Sequence, residues 1–297
     1  MHILVLGAGA IGTFYGARLS AHHEVTLVGR PAHVDRIARD GVRVTGLDEA
    51  TYRLRAATEA GPVPPDTLIL LTTKAYDSEA AVRPLVDRLR PDTCILCLQN
   101  GLYVEEMVKA LAGNRCPVLR GIVQFGVTFV EAGVVALKAE GFTSIEPHPR
   151  AAALADLLAA SGLAGRVSPD IRAEMWQKVI VNCVINPLTA MTRMEVRWAA
   201  GEPLDPLKRR IIGECAAVAA RDGVAVPDDF LETLNRMYGP STNLSSMDQD
   251  LRRGRRTEIA YLNGAVVALG ERHGLDCPVN RALAEIIGAL EAGARQG

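Results

Sequence analysis

The chain has 297 residues, 48% of them apolar and 23% charged, with 33 Lys and Arg against 34 Asp and Glu. That length suits about two domains, each with a core of its own, and the composition is too apolar for a disordered chain. Near-cancelling charge excludes a global attraction to nucleic acid or an anionic membrane, so an anionic partner must be caught by a local site.

In chain order, the first half alternates short apolar runs with helical patterns. Strands are expected at Ile3–Leu6, Val25–Val28, Thr67–Leu71 and Cys94–Leu98, and helices at Ala10–Ala21, Ala32–Arg39, Ser78–Leu89 and Val104–Leu111. Near-continuous apolar strands in this βαβα rhythm point to a parallel sheet covered by helices on both faces. After Cys116 the pattern turns to strands at Val118–Val123, Val127–Glu131, Val134–Lys138 and Phe142–Ile145, then a helix at Ala151–Ala160 and a strand at Ala164–Ser168. From Pro169 onward only helical patterns remain: Ile171–Val184, Pro206–Arg221, Asp228–Met237, Thr257–His273 and Val279–Ala294, with Ser241–Arg256 as a polar loop and helix start. The expected organisation is therefore an α/β domain over 1–168 and an all-helical domain over 169–297.

No apolar run approaches the ~20 residues that span a bilayer, and the run from Ile3 reads as a first strand rather than a signal peptide. Six cysteines are too few for a disulfide scaffold in a chain of this size. Cys94 and Cys97 lie three apart on a strand, hence on opposite faces, so they are expected to be small buried core residues and not a metal or redox pair. No metal-ligand spacing appears elsewhere. The expected compartment is the reducing cytoplasm.

Gly7-Ala8-Gly9-Ala10-Ile11-Gly12 follows the first strand at once and opens the first helix, inside a βαβ unit. In that context the three glycines have separate tasks: Gly7 permits the tight turn, Gly9 lets a pyrophosphate approach the backbone, and Gly12 lets helix and strand pack closely. The helix N-terminus offers unpaired N–H groups and a positive dipole end to the phosphates. The first domain is thus expected to be a Rossmann-type dinucleotide-binding unit; a turn that binds nothing is the plainer alternative. The second strand ends in Val28-Gly29-Arg30 with no carboxylate at its tip. A guanidinium there suits a 2′-phosphate, which a carboxylate would repel, so NADP(H) is expected over NAD unless Arg30 is only a solvated surface residue. Lys74 and Asn100 stand just past two further strands, where ligands of such sheets bind, although Asn100-Gly101 also suits a simple turn.

The most informative stretch is Trp176 through Ala190. Lys178, Asn182 and Asn186 recur at i, i+4, i+8 and stack along one helical stripe, while the residues between them are almost all apolar. A Lys and two amides facing a core without partners would be costly, so they are expected to line a cavity for a polar ligand, with a structural network as the alternative. A partly desolvated Lys can pass a proton to a carbonyl oxygen becoming an alkoxide. Downstream, Arg252, Arg253, Arg255 and Arg256 are flanked by Asp248, Asp250, Glu258 and Glu271 with no interleaved aromatic, which reads as a solvated, salt-bridged surface rather than a nucleic-acid patch. Glu258 begins an apolar helix and is expected to face inward.

These residues resemble the ketopantoate reductases (2-dehydropantoate 2-reductases) over nearly the whole length. The resemblance is carried by the glycine turn, Lys74-Ala75-Tyr76, Leu98-Gln99-Asn100-Gly101, Lys178 through Ala190, Ser245-Ser246-Met247 with Gln249-Asp250, and Thr257-Glu258-Ile259. It implies NADPH-dependent reduction of a small 2-oxo acid with Lys178 as general acid. It implies that Asn100, Asn182, Asn186 and Ser246 hold the substrate, and that Glu258 contacts both substrate and cofactor. It also implies that Lys74 and Arg30 contact the cofactor. One departure concerns an Asn-Gly-Glu-like turn that family members often carry after Pro-Leu-Thr-Ala, whose Asn touches substrate. This chain has Met191-Thr192-Arg193-Met194-Glu195-Val196-Arg197 instead, which puts the identity of the keto acid in doubt. A reductase of another 2-oxo acid and a non-catalytic NADP-binding sensor stay open as alternatives. A homodimer is also open, because Thr257–His273 and Val279–Ala294 could pack on another subunit.

Overall fold

The computed structural model describes residues 1–294; the last three residues of the expected helical domain, 295–297, lie outside the described residues. By its contacts the chain divides into two compact units. One comprises Met1–Gln99 and Tyr103–Ile171, and the other comprises Asn100–Leu102 and the chain from Arg172 onward.

In the first unit, strands and helices follow in the order β1 (His2–Leu6), α1 (Ala10–Leu19), β2 (Glu24–Val28), α2 (Pro31–Asp40), β3 (Val42–Gly46), β4 (Ala50–Tyr52), β5 (Arg55–Ala57), β6 (Thr67–Leu71), α3 (Ser78–Val82), β7 (Cys94–Cys97), α4 (Val104–Ala112), β8 (Val118–Val123), β9 (Gly126–Glu131), β10 (Val134–Ala139), β11 (Thr143–Ile145), α5 (Ala151–Ala160) and β12 (Gly165–Val167). Eight strands form one sheet in the order β12-β11-β8-β7-β6-β1-β2-β5, parallel throughout except for β11 against β8. Alternate residues of the central strands feed two separate cores. Ile3, Val5, Leu68, Leu70, Cys94 and Leu96 pack on one side, and Leu4, Leu6, Ile69, Leu71, Ile95 and Cys97 on the other. Each fully buried aliphatic side chain in these layers contributes roughly 1.5–3 kcal/mol. The two thiols of the C-x-x-C thus serve opposite cores, as expected, and burial pushes the Cys94 thiol up to about 12.

Three strands were not expected from the sequence. β3, β4 and β5 are short, and β3, β4, β9 and β10 build a separate four-stranded sheet in the order β4-β3-β10-β9. The expected helix Ser78–Leu89 is only the five-residue α3, flanked by 3-10 turns at Ala75–Asp77 and Arg83–Arg88. Pro84 has no N–H to give the preceding turn, so the α-helix stops there.

The second unit is helical: α6 (Ile171–Thr192), α7 (Val196–Ala199), α8 (Asp205–Arg221), α9 (Phe230–Tyr238), α10 (Ser246–Arg252), α11 (Asn263–Arg272) and α12 (Pro278–Ala294). The helix expected over Thr257–His273 is broken into a 3-10 turn, Ile259–Tyr261, and α11. Buried side-chain bonds hold the break on both sides. Glu291 accepts from the backbone N–H and hydroxyl of Thr257, and Asn263 reaches out of the helix start to two acceptors.

One of those acceptors explains α6. The helix was expected to end at Val184 but runs to Thr192, straight through Pro187. A proline inside a helix withholds the bond that the carbonyl four residues earlier would receive. Here that carbonyl belongs to Cys183, and Asn263 Nδ2 donates to it at 3.0 Å. The same amide group donates to Asn280 Oδ1 at 2.9 Å. Asn263→Leu should therefore destabilise the fold by about 1–3 kcal/mol in urea unfolding. The penalty should shrink in a Pro187→Ala background, where a backbone N–H returns to Cys183; equal penalties in both backgrounds would contradict this account.

Candidate active site

In the sheet unit the glycine turn has the geometry a dinucleotide requires. Gly7 sits at φ +110°, and a Cβ there would lie 2.5 Å from the Thr73 nitrogen. A Cβ on Gly12 would lie 2.0 Å from Gly7 O, whereas one on Gly9 would meet nothing within 4 Å. The tight turn, the open approach and the close helix packing thus fall on the three glycines as expected. The turn is tied down by Gly7 and Ala8 N–H groups donating to Val28 O, and by the Thr72 hydroxyl donating to Gly7 O at 2.8 Å. Sequence reasoning missed Thr72. It also missed Gly29, where a Cβ would strike the Ala8 Cβ at 2.5 Å.

No side chain caps α1, whose N-cap is Gly9, and no acidic residue lies in its first turn. Ala10, Ile11 and Gly12 therefore form an uncapped helix N-terminus, an arrangement whose backbone N–H groups and dipole favour an anion. β1 pairs with β2 on one side and β6 on the other, so the loops after these three strands open side by side. Arg30 is exposed at the N-cap of α2, and half-buried Lys74 is the N-cap of the 3-10 turn Ala75–Asp77. Open backbone at Gly9, an uncapped helix start and two cations at neighbouring strand ends fit a phosphate-bearing dinucleotide.

In the helical unit, Lys178, Asn182 and Asn186 all lie on α6, two turns apart from first to last. Lys178 and Asn182 are half-buried and Asn186 is 6% exposed, amid the buried residues Val179, Ile180, Cys183, Val184 and Ile185. Burial holds the Cys183 thiol well above its ordinary value, so it stays a neutral packing residue. Asn100 belongs to this unit rather than to the sheet from whose strand it emerges, which the sequence did not indicate. Its Nδ2 lies 3.5 Å from Oε2 of Glu258, a long contact. Glu258 is 6% exposed and faces inward, as expected.

Ser246 is the first residue of α10 and is exposed. Its neighbour Ser245 is the buried one: its Oγ accepts from the Asp248 N–H and lies 2.6 Å from the Thr189 hydroxyl on α6. Asp248 is fully buried, receiving Arg193 Nη1 at 3.0 Å and Arg252 Nε at 2.8 Å. The arginine cluster is exposed as expected, but two of the acids assigned to its solvated flank, Asp248 and Asp250, are buried. A third, Glu271, pairs with Arg281 at 2.8 Å, outside the cluster. Asp248 and Asp250 are both carried by α10, within the stretch expected as a polar loop and helix start.

Residues 3–150 match the family model described as Ketopantoate reductase PanE/ApbA, and residues 170–291 match Ketopantoate reductase PanE/ApbA C terminal. The chain belongs to the ketopantoate reductase family. Its relatives include a 2-dehydropantoate 2-reductase of Archaeoglobus fulgidus, 33% identical over 98% of each chain. Another, from Salmonella typhimurium, is 33% identical over 98% of this chain and 96% of its own. Among solved structures, a PanE/ApbA family ketopantoate reductase from Ralstonia eutropha is similar at TM-score 0.90 and 32% identity, covering 99% of this chain and 100% of that one. A D-mandelate dehydrogenase with NADH and anilino(oxo)acetate is similar at TM-score 0.90 and 27% identity, covering 99% of each.

For a ketopantoate reductase family member, the segment Met191–Arg197 has a distinct local role. Val196 N–H donates to Asn243 O at 2.9 Å and Arg197 N–H to Ser241 O at 2.8 Å. Arg193, at φ +60°, directs its guanidinium to buried Asp248. Where the resemblance implied a turn whose Asn touches substrate, this chain has a brace for the strand of loop that leads to Ser246. Among the described residues no helix is long and apolar enough to cross a membrane.

Proposed function

We propose that this chain is a cytoplasmic reductase that uses NADPH to convert 2-dehydropantoate to pantoate. The observation that carries the reading is the polar stripe Lys178, Asn182, Asn186 within the apolar, largely buried middle of α6, in a chain whose relatives are 2-dehydropantoate 2-reductases. NADPH, when bound on the glycine turn with Arg30 and Lys74 at its phosphates, supplies a hydride for the keto carbon. The Lys178 ammonium donates a hydrogen bond to the ketone oxygen and passes its proton as negative charge develops there. The neutral amine is then reprotonated from solvent. Asn182, Asn186, Asn100 and Ser246 orient the carboxylate and hydroxyl of the acid without adding charge, and the Glu258 carboxylate accepts from a hydroxyl or from Asn100.

A second reading is a reductase of another branched or hydroxylated 2-oxo acid. It is favoured by the Met191–Arg197 departure and by the similarity to a D-mandelate dehydrogenase. Ranking keto acids by kcat/KM separates the two: ketopantoate must lead for the first reading to stand.

Lys178→Ala should lower kcat on the order of 10²–10⁴ in an assay of reduced-nicotinamide absorbance with ketopantoate; unchanged kcat would reject the proton-donor role. Arg30→Asp should shift preference from NADPH toward NADH, because a carboxylate repels the 2′-phosphate that a guanidinium forks onto. An unaltered ratio of the two KM values would remove Arg30 from the argument.

A further inference from the structure

The backbone that carries Asn100 makes a three-residue excursion: the chain leaves the sheet unit after Gln99 and rejoins it at Tyr103. Two unusual conformations mark it, Gly101 at φ +108° and Tyr103 at φ +52°. A bulky aromatic residue in the left-handed region persists only where its surroundings over-determine it. Arg120, on β8, ties the chain on both sides of this segment. It stands opposite Cys97 in the sheet register and its side chain is 3% exposed. Its Nη2 donates to Gln99 O at 3.0 Å, at the carbonyl immediately before Asn100. Its Nη1 donates to Glu105 Oε2 at 3.0 Å, in the first turn of α4, two residues after the chain rejoins the sheet unit at Tyr103. One planar guanidinium therefore closes the base of the loop from both flanks, and a lysine, with a single nitrogen, cannot reproduce the fork. The Gln99 side chain adds a second tie, donating to Ser78 Oγ at 2.8 Å.

We infer that Arg120, held by Glu105, is a positioning residue for the reduction: it fixes the backbone from which Asn100 meets its ligand. The inference rests on the reading above in which Asn100 contacts the reacting molecule.

The test is a double-mutant cycle on the full chain with ketopantoate and NADPH. Arg120→Met should lower kcat/KM for the keto acid by about 10- to 100-fold, the scale of a small misplacement of a contacting group. In an Asn100→Ala background the same change should lower kcat/KM by less than about twofold, because its effect passes through Asn100. Arg120→Lys, which keeps the charge beside Glu105 and loses the fork, should fall between parent and Arg120→Met. It decides the matter if Arg120→Met does not fold. A merely structural arginine would lower the melting temperature while leaving kcat/KM of the folded variants at the parental value, or would act multiplicatively with Asn100→Ala; either result overturns the inference. If Asn100→Ala itself has parental kinetics, the reading of Asn100 falls and this inference with it. If Asn100→Ala is impaired while Arg120→Met and Arg120→Lys match the parent, only the role of Arg120 falls.

Discussion

The carbonyl oxygen of Cys183 is the point on which the helical unit turns. Pro187 withholds its helical partner, and Asn263 provides another at 3.0 Å from a different helix. That single amide lets α6 continue through a proline without an orphaned buried carbonyl, a defect worth about 1–3 kcal/mol. Because α6 continues, Asn186 stands in register with Asn182 and Lys178, and Thr189 reaches Ser245 at the head of α10. The same amide anchors Asn263 at the start of α11, just after the 3-10 turn Ile259–Tyr261. The break leaves Glu258 inward-facing at the start of a short 3-10 turn.

The sheet unit solves a different problem, the approach of a charged ligand to bare backbone. Removing side chains at Gly7, Gly12 and Gly29 lets the turn, the helix and the second strand close on one another, while the space over Gly9 stays open. Thr72 contributes hydroxyl bonds to Leu6 O and Gly7 O, so the residue just past the neighbouring strand β6 supports the turn directly. The uncapped start of α1 then provides donors for an anion with no charged side chain in the first turn to compete.

Much of this was legible in the sequence, for identifiable reasons. The central strands are buried on both faces and read as unbroken apolar runs; the limits of β6 and α5 fall where periodicity puts them. The glycine roles follow from spacing, and the α6 stripe from a period of four. What escaped depends on contacts distant in sequence. β3 is stabilised by pairing with β10, far along the chain, while β4 pairs with its neighbour β3 and β5 with β2; all three are short and carry little signal alone. The length of α6 could not be foreseen because proline normally ends a helix, and the rescuing amide lies 80 residues away. The burial of Asp248 likewise needs Arg193, 55 residues earlier. The assignment of Asn100 to the helical unit follows no local pattern at all.

The central chemical claim is that an ammonium at position 178 hands its proton to the ketone oxygen. Its most direct test is chemical rescue of Lys178→Ala by small primary amines, measured as NADPH oxidation with ketopantoate at saturating concentrations of both. The account predicts that methylammonium or ethylammonium restores turnover in proportion to its concentration and then saturates. A rate that stays flat across the amine series, in a variant that still binds NADPH and the keto acid, would contradict it.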